Sequence, residues 1–282
     1  MILVTGASGN VGSELARILK ANGAPFKAAF RDLESADRFG LKNEAVVLDF
    51  DQPDTFPKAL LGVSRIFLVR PPELADTKRY FLPFIEAARK SGVAHIVFLS
   101  VIGADKNKFL PHSKIEQLMR LSGITFTFLR PGFFMQNISG THAPEIKELA
   151  DIFVPAGQGR TNFIDVRDIA AAAAVALIEP GHENKAYALT GDEALTYREV
   201  AEILSAELGR HIRYSNPSIF RFFHRMRKRG INAPYILVMI VIYSIAKFGG
   251  AGTLTVDLRK LIGRPAIKFR DFAQDYRKAW TV

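Results

Sequence analysis

Hydrophobic residues in the first half of the chain form short runs that alternate with longer amphipathic stretches. The first run, at residues 1–5, precedes a stretch in which Val11, Leu15 and Leu19 share one helical face. Further short runs predict strands at residues 26–30, 45–48, 65–69, 96–99 and 124–129. Helical patterns lie between them at residues 55–61, 77–90 and 113–121, each followed by a glycine suited to a helix end. This alternation predicts a doubly wound, parallel α/β sheet whose ligand lies along the carboxyl ends of the strands.

After Phe134 the alternation becomes less regular. A strand-like segment at residues 162–166 leads into an alanine-rich helix at 168–178, and a strand at 186–189 is expected to return to the main sheet. We therefore expect a Rossmann-type domain from residues 1–136 and 161–190, with a smaller substrate-facing lobe from residues 137–160 and 191–282. No linker rich in glycine, serine or proline separates the two parts, so they should fold as one cooperative unit.

The turn after the first strand has three glycines at a spacing typical of dinucleotide-binding sites. Gly6 permits a tight turn, Gly9 lets backbone amides approach a pyrophosphate, and Gly12 lets the following helix pack closely on the strand. The N-terminus of that helix then faces the phosphates. The sequence therefore predicts a nucleotide cofactor that is contacted by Gly6, Ser8, Gly9, Asn10, Val11 and Gly12.

The composition excludes several kinds of site. With 282 residues, of which 48% are hydrophobic, the chain is long enough to bury a large core. It has no cysteine, which excludes disulfides, thiolate metal ligands and a cysteine nucleophile. The six histidines include no pair at the spacing of a helical metal site, so we predict no bound metal. The chain starts with a strand instead of a secretory signal, so we expect a cytoplasmic protein.

The formal net charge of +10 suits an anionic ligand, and it equally fits a nucleic acid or an anionic membrane surface. Because no zinc-finger spacing or aromatic RNA-binding signature accompanies the basic residues at 221–229 and 259–270, we expect no sequence-specific nucleic-acid binding. An apolar run at residues 233–246 is too short to cross a bilayer. It predicts a buried helix that lines or covers a pocket for a small hydrophobic substrate. Peripheral membrane contact and the oligomeric state stay open.

Several short motifs occur in order along the chain. They are Thr5-Gly6-x-x-Gly9-x-x-Gly12, Phe98-Leu99-Ser100, the stretches at residues 129–137 and 163–170, and Leu195-Thr196-Tyr197-Arg198-Glu199-Val200. Together they resemble the NmrA-like group of atypical short-chain dehydrogenases and reductases. Residues 54–60 and 208–210 look closest to the branch that contains the fungal ergot-alkaloid reductases. The resemblance implies NADPH-dependent reduction, and the same group includes redox sensors that bind a dinucleotide without turning it over.

The end of the second strand bears on the choice of cofactor. NAD-binding sites usually have an acid there, whereas a cation accommodates the 2′-phosphate of NADP. The strand ends in Arg31, which favours NADP, and the adjacent Asp32 keeps NAD as the alternative. The other predicted cofactor contacts follow later strands, and they are Asp49, Phe50, Val69, Arg70, Pro71, Ser100, Lys114, Pro131 and Phe134.

Short-chain dehydrogenases commonly pair a proton-donating tyrosine with a lysine four residues later. Here Lys114 is present, but the tyrosine position holds Leu110, which cannot donate a proton. Lys114 resembles the catalytic lysine of isoflavone-reductase-type enzymes, and a cation there could hold the ribose or polarise a substrate group. We therefore predict Lys114 as the catalytic residue of a reductase that transfers hydride from NADPH to an apolar conjugated acceptor, namely an iminium, enone or quinone. The alternatives are a non-catalytic NADP(H)-binding sensor that regulates a partner protein and a membrane-surface protein.

Overall fold

The strands expected in the first half of the chain form one parallel sheet. The computed structural model describes residues 1–281. Its strands are β1 (Ile2–Val4), β2 (Phe26–Phe30), β3 (Ala45–Val47), β4 (Arg65–Val69), β5 (His95–Leu99), β6 (Thr125–Pro131), β7 (Phe133–Phe134), β8 (Asp151–Ile152), β9 (Thr161–Ile164), β10 (Lys185–Leu189), β11 (Ala194–Leu195) and β12 (Arg213–Tyr214). Its α-helices are α1 (Asn10–Ala21), α2 (Glu34–Asp37), α3 (Phe56–Leu60), α4 (Thr77–Lys90), α5 (Pro111–Ser122), α6 (Gln136–Ser139), α7 (Ala143–Leu149), α8 (Val166–Ile178), α9 (Tyr197–Leu208), α10 (Ile219–Lys228), α11 (Ala233–Lys247), α12 (Asp257–Ile262) and α13 (Phe269–Asp275).

The large sheet has the spatial order β10-β6-β5-β4-β1-β2-β3 among residues 1–281, and every neighbouring pair is parallel. The strand predicted at residues 186–189 is present as β10, at one edge of this sheet beside β6. Helices α1 and α12 both pack on α8, while α3 and α5 both pack on α4. The doubly wound α/β fold expected from the sequence is therefore confirmed.

The central strands are buried on both faces, which explains their nearly continuous apolar runs. In β4, Ile66 and Leu68 belong to a core cluster that includes Phe81 and Phe84 of α4. Phe67 lies between them in the sequence and is also fully buried, but outside that cluster. Because successive side chains of a strand point to opposite faces, both faces of β4 are covered.

The chain reverses its direction of travel across the sheet between β1 and β4. It proceeds from β1 to β2 and β3 on one side, then returns to place β4 on the other side of β1. Thr5 joins the ends of these two strands, since its hydroxyl donates to Phe67 O at 3.0 Å and accepts from Val69 N at 2.8 Å. In doubly wound folds this reversal is the place where ligands bind, beyond the carboxyl ends of the strands.

The described chain forms two compact units. The first contains Met1–Pro131, Val166–Leu189 and Asp257–Arg264, and the second contains Gly132–Asp165, Thr190–Val256 and residues 265–281. Residues 161–165, expected in the Rossmann domain, belong to the second unit because β9 pairs with β7 and β11. Residues 257–264, expected in the smaller lobe, belong to the first unit because α12 packs on α8 and β10.

Helix α11 forms from the apolar run that follows the basic segment. Asn232 caps its start by accepting a hydrogen bond from Tyr235 N at 2.9 Å. Met239 and Tyr243 are among its buried residues, but the opposite side of the helix is exposed. The expectation of a buried helix is therefore wrong for the exposed side of α11. Apolar residues occur on all sides of this helix, so its sequence pattern does not show which side is exposed. Within residues 1–281, no helix is long and apolar enough to cross a membrane.

Candidate active site

The glycine turn after β1 brings backbone groups against the start of α1. Gly6 has a φ of 63°, a conformation that favours glycine, and its carbonyl oxygen accepts a hydrogen bond from Gly9 N at 2.9 Å. A Cβ atom on Gly12 would lie 2.1 Å from the same oxygen, so only glycine fits at this position. Helix α1 begins after Gly9 with no side-chain cap and no acidic residue in its first turn. Its first N–H groups lack intrahelical partners and can therefore bind a phosphate.

The residues predicted to bind the cofactor within this turn differ in exposure. Ser8, Gly9 and Asn10 are exposed, whereas Val11 and Gly12 are buried. The Val11 side chain belongs to the hydrophobic core, so Val11 can offer a ligand only its backbone N–H. The combination of a narrow glycine turn and an uncapped helix start fits the pyrophosphate of a dinucleotide.

Arg31 directly follows β2 and extends into solvent. Its side chain is 76% exposed, and its Nη1 atom lies 3.8 Å from Glu73 Oε1. The neighbouring Asp32 instead bonds to Ser35, accepting hydrogen bonds from the Ser35 amide at 2.8 Å and from its hydroxyl at 3.0 Å. These two hydrogen bonds lower the pKa of Asp32. The cation at this strand end is thus available for a ligand, while the carboxylate is engaged within the protein.

Asp49 and Phe50, the two predicted cofactor contacts after β3, lie in different surroundings. Asp49 accepts hydrogen bonds from Asp51 N at 3.0 Å and from Gln52 Nε2 at 3.1 Å, which hold the turn. The ring of Phe50 packs on the rings of Phe81 and Phe84, with centroid distances of 4.9 and 5.1 Å. Phe50 is among the predicted cofactor contacts, but its side chain lies in the core, so it could offer a ligand only backbone groups.

The segment after β4 lies beside the glycine turn. A Cβ on Gly6 would lie 3.2 Å from Val69 Cβ, so the ends of β1 and β4 meet closely. Arg70 is half-buried, and its Nη1 atom donates to the carbonyl oxygens of Pro71 and Pro72, both at 2.9 Å. Its Nε atom is buried without a hydrogen-bond partner in the described residues, and burial lowers the pKa of Arg70. Arg70 therefore holds the loop in shape and retains an unused donor at Nε.

Ser100, at the end of β5, is held by a buried ion pair. Its hydroxyl donates to Glu116 Oε1 at 2.6 Å. Arg130 donates to both Glu116 oxygens, at 2.9 and 2.6 Å, and these hydrogen bonds raise the pKa of Arg130. Glu116 is not among the residues predicted from the sequence, although an acid on the buried face of α5 beside Ile115 signals such a partner.

Lys114 lies in the first turn of α5 and is exposed. It makes no ion pair among residues 1–281, and Leu110 occupies the position immediately before the helix. His112, which was also not predicted, lies two residues before Lys114, and its ring is 6.0 Å from the ring of Phe98 near the end of β5. Burial, aided by the charge of Arg70, lowers the pKa of His112 to about 4, so this imidazole is neutral at pH 7.

The remaining two predicted residues belong to different units. Pro131 ends β6 in the first unit, is buried, and accepts a hydrogen bond from Ile102 N at 3.2 Å. Phe134 lies in β7 of the second unit, where it pairs with Ile164 of β9. The residues predicted at or directly after the ends of β1 to β6 therefore lie at the carboxyl end of the large sheet, whereas Phe134 belongs to the second unit.

The second unit contains a cavity of about 50 Å³ with a polar cluster in its wall. His142 Nε2 shares a short hydrogen bond with the Tyr243 hydroxyl. Glu145 Oε2 lies 3.8 Å from His142 Nδ1 and 3.2 Å from Arg229 Nη1. Burial raises the pKa of Tyr243 well above its usual value, so the phenol stays protonated. The residues lining the cavity are Phe133, Asn137, Thr141, His142, Tyr235, Met239, Ile242 and Tyr243.

Comparison with known proteins identifies relatives that match along the whole chain. The model of the NmrA-like family matches residues 1–269. The NAD(P)H azoreductase of Xenophilus azovorans is 36% identical over 290 residues, which cover 99% of each chain. Agroclavine dehydrogenase of Claviceps fusiformis is 31% identical over 292 residues, covering 100% of this chain and 99% of that protein. The crystal structure of Citrobacter sp. triphenylmethane reductase complexed with NADP(H) has a TM-score of 0.86 at 29% identity, covering 98% of this chain and 99% of that chain.

These matches confirm the resemblance inferred from the motifs, including its branch with ergot-alkaloid reductases. The family model covers nearly all of the sequence, and the azoreductase exceeds 30% identity over almost the full length of both proteins. The chain therefore belongs to the NmrA-like family.

Proposed function

We propose that this protein is an NADP-dependent oxidoreductase, a reductase that transfers hydride from NADPH to an apolar conjugated acceptor such as an iminium, enone or quinone. The glycine turn carries the proposal, because a side chain on Gly12 would collide with Gly6 O and the start of α1 has no cap of its own. Its relatives include an NAD(P)H azoreductase and a reductase crystallised with NADP(H), which supports both the reaction class and the cofactor.

The proposed class of acceptor follows from the absence of a tyrosine proton donor four residues before Lys114. Carbonyl reduction by short-chain dehydrogenases relies on a tyrosine that donates a proton, and this chain has Leu110 at that position. Iminium ions, enones and quinones accept hydride without an obligatory tyrosine at that place. The azoreductase and the triphenylmethane reductase are named for conjugated molecules, which supports the same class of acceptor.

The side chains at the carboxyl end of the large sheet have distinct roles in this proposal. Bound NADPH supplies the hydride. The first N–H groups of α1 hold the pyrophosphate, and Arg31 pairs with the 2′-phosphate. Lys114 holds the ribose or polarises the acceptor, since its ammonium group is exposed and makes no ion pair among the described residues. The ion pair of Glu116 and Arg130 fixes the orientation of the Ser100 hydroxyl.

A non-catalytic sensor of NADP(H) is the second candidate. The absence of the tyrosine, together with a lysine that makes no ion pair among the described residues, is also what a binding protein without turnover would show. Such a protein would bind the dinucleotide with the same glycine turn and would use it to bias association with a partner protein.

Turnover distinguishes these two functions. The affinity for NADPH is measured first, and oxidation of NADPH is then followed with an azo dye, a triarylmethane dye, a quinone, an enone and an iminium salt. We expect turnover with at least one of these acceptors. The Gly12→Ala variant, purified in parallel, should lose both binding and turnover and thereby exclude a contaminating reductase. Tight NADPH binding without turnover of any acceptor would instead support the sensor.

A further inference from the structure

Most of the exposed side chains of α11 are apolar. The aliphatic ones are Leu237, Val238, Val241, Ile242 and Ile245, and together with Phe248, directly after the helix, we name them the α11 stripe. They range from 40% exposed at Ile242 to 83% exposed at Phe248. The positions recur every three to four residues, so they share one side of the helix. A contiguous exposed apolar patch of this kind marks an interaction surface.

The sequence around the stripe carries charge of only one sign. No Asp or Glu occurs between Glu207 and Asp257, whereas the same interval contains eight Arg or Lys residues. Arg227 and Lys228 precede the helix and Lys247 ends it, so cations flank the stripe at both ends. A partner that covers this surface must therefore accept apolar side chains and positive charge together.

Helix α10 packs on α11 and carries an exposed aromatic residue and exposed cations of its own. The Phe222 ring lies 5.7 Å from the Tyr243 ring, which ties α10 to the buried side of α11. Phe220, on the first turn of α10, is 80% exposed. Arg221 and Lys228 are exposed and make no ion pair within residues 1–281.

Not every cation of α10 is available to a partner. Arg225 lies 3.5 Å from the buried Asp151 and over the ring of Phe153, and Arg229 lies 3.2 Å from the buried Glu145. These two arginines stabilise the second unit. The exposed cations Arg221, Arg227 and Lys228 pair with no carboxylate among the described residues, and Arg227 Nη1 donates only to the carbonyl oxygen of Ile231 at 3.0 Å.

We propose that the α11 stripe, together with Phe220 and the unpaired cations of α10, binds the surface of an anionic lipid bilayer. An apolar helix face beside basic residues is the pattern of helices that lie in the membrane interface. Helix α11 has 15 residues, so it is too short to span and would lie along the surface. A second copy of this chain fits less well, because it would bring two sets of cations together with no acid in the segment to neutralise them. The proposal does not depend on the reductase activity.

Sedimentation with lipid vesicles tests the proposal. The full-length protein is mixed at physiological salt with vesicles of phosphatidylcholine alone or with added phosphatidylserine. We expect binding that requires phosphatidylserine and weakens as salt is raised. Val241→Asp, which places a charge within the stripe, and the double change Arg227→Glu with Lys228→Glu should each lower the partition coefficient roughly tenfold or more.

Matched variants elsewhere on the surface separate membrane binding from general effects. Leu61→Asp changes an apolar residue that is 74% exposed, and Arg89→Glu with Lys90→Glu reverses two exposed cations of α4. Both should bind vesicles like the unmodified protein. Melting temperature and NADPH affinity, measured for every variant, show whether each one is folded.

Three results would overturn the proposal. They are no binding to phosphatidylserine vesicles, equal loss of binding in the Leu61→Asp control, and a dimer in sedimentation equilibrium without lipid that Val241→Asp dissociates. The last result would assign the stripe to a second copy of the chain.

Discussion

Replacing Arg31 with alanine should remove a preference for NADPH over NADH. Arg31 directly follows β2, where the 2′-position of the ribose is recognised in related folds. A hydrogen bond to a charged group contributes about 1.5–3 kcal/mol. Because Arg31 is 76% exposed and lies 3.8 Å from Glu73, solvent and that carboxylate reduce the gain to roughly 1–2 kcal/mol. Since about 1.4 kcal/mol is a factor of ten, NADPH should bind roughly five to thirty times more tightly than NADH.

Calorimetric titration of the protein with NADPH and with NADH measures this difference in affinity. The Arg31→Ala variant should bind NADPH and NADH with similar affinity, while its affinity for NADH stays that of the unmodified protein. Arg17→Ala is the control, because Arg17 is an exposed arginine of α1 that pairs with Glu14. Glu73→Gln should strengthen NADPH binding about twofold by releasing Arg31. Equal affinities for the two cofactors in the unmodified protein would refute the reasoning.

Three further predictions follow from the site. Lys114→Ala should lower turnover more than it lowers NADPH affinity, whereas each single Tyr→Phe change should keep turnover within a few-fold; a loss of about a hundredfold in one tyrosine variant would reassign the proton donor. Gly12→Ala should abolish dinucleotide binding and lower the melting temperature, because its Cβ would lie 2.1 Å from Gly6 O, and unchanged binding would contradict this geometry. The native pKa of His112 is about 4, and an unfolded histidine takes up its proton near pH 6.5, so the free energy of unfolding should fall as pH drops between these values. His112→Gln should make this fall less steep in denaturant titrations, and an unchanged slope would show that His112 is not the group responsible.

Local patterns were sufficient to predict the parallel sheet and the glycine turn. The central strands of the first unit are short apolar runs buried on both faces, and their alternation with helices indicates parallel pairing. The requirement for glycine at position 12 is equally local, because the atom that excludes a side chain belongs to Gly6 in the same turn. Both features depend on residues close together in the sequence.

Features that depend on distant partners were not predicted. Phe50 follows a strand exactly as a ligand contact would, and only its packing on Phe81 and Phe84 places it in the core. The ion pair that holds Ser100 joins α5 to β6, and neither residue alone reveals it. The short strand β9 could equally have joined the large sheet, because few residues specify its pairing with β7 and β11. Tertiary contacts decide all three cases.

The charges at the carboxyl end of the large sheet affect which cofactor and which acceptor the protein can use. Asp32 and Glu116, which lie beside Arg31 and Ser100, are each engaged, the first by Ser35 and the second by Arg130. Arg31 and Lys114 remain exposed, and the exposed Glu73, 3.8 Å from Arg31, offsets part of this positive charge. A cofactor with an additional phosphate gains more from these cations, which favours NADPH. Because Glu116 accepts hydrogen bonds through both oxygens, it is not placed to donate a proton, and the acceptor should be one whose reduction needs no carboxylic acid.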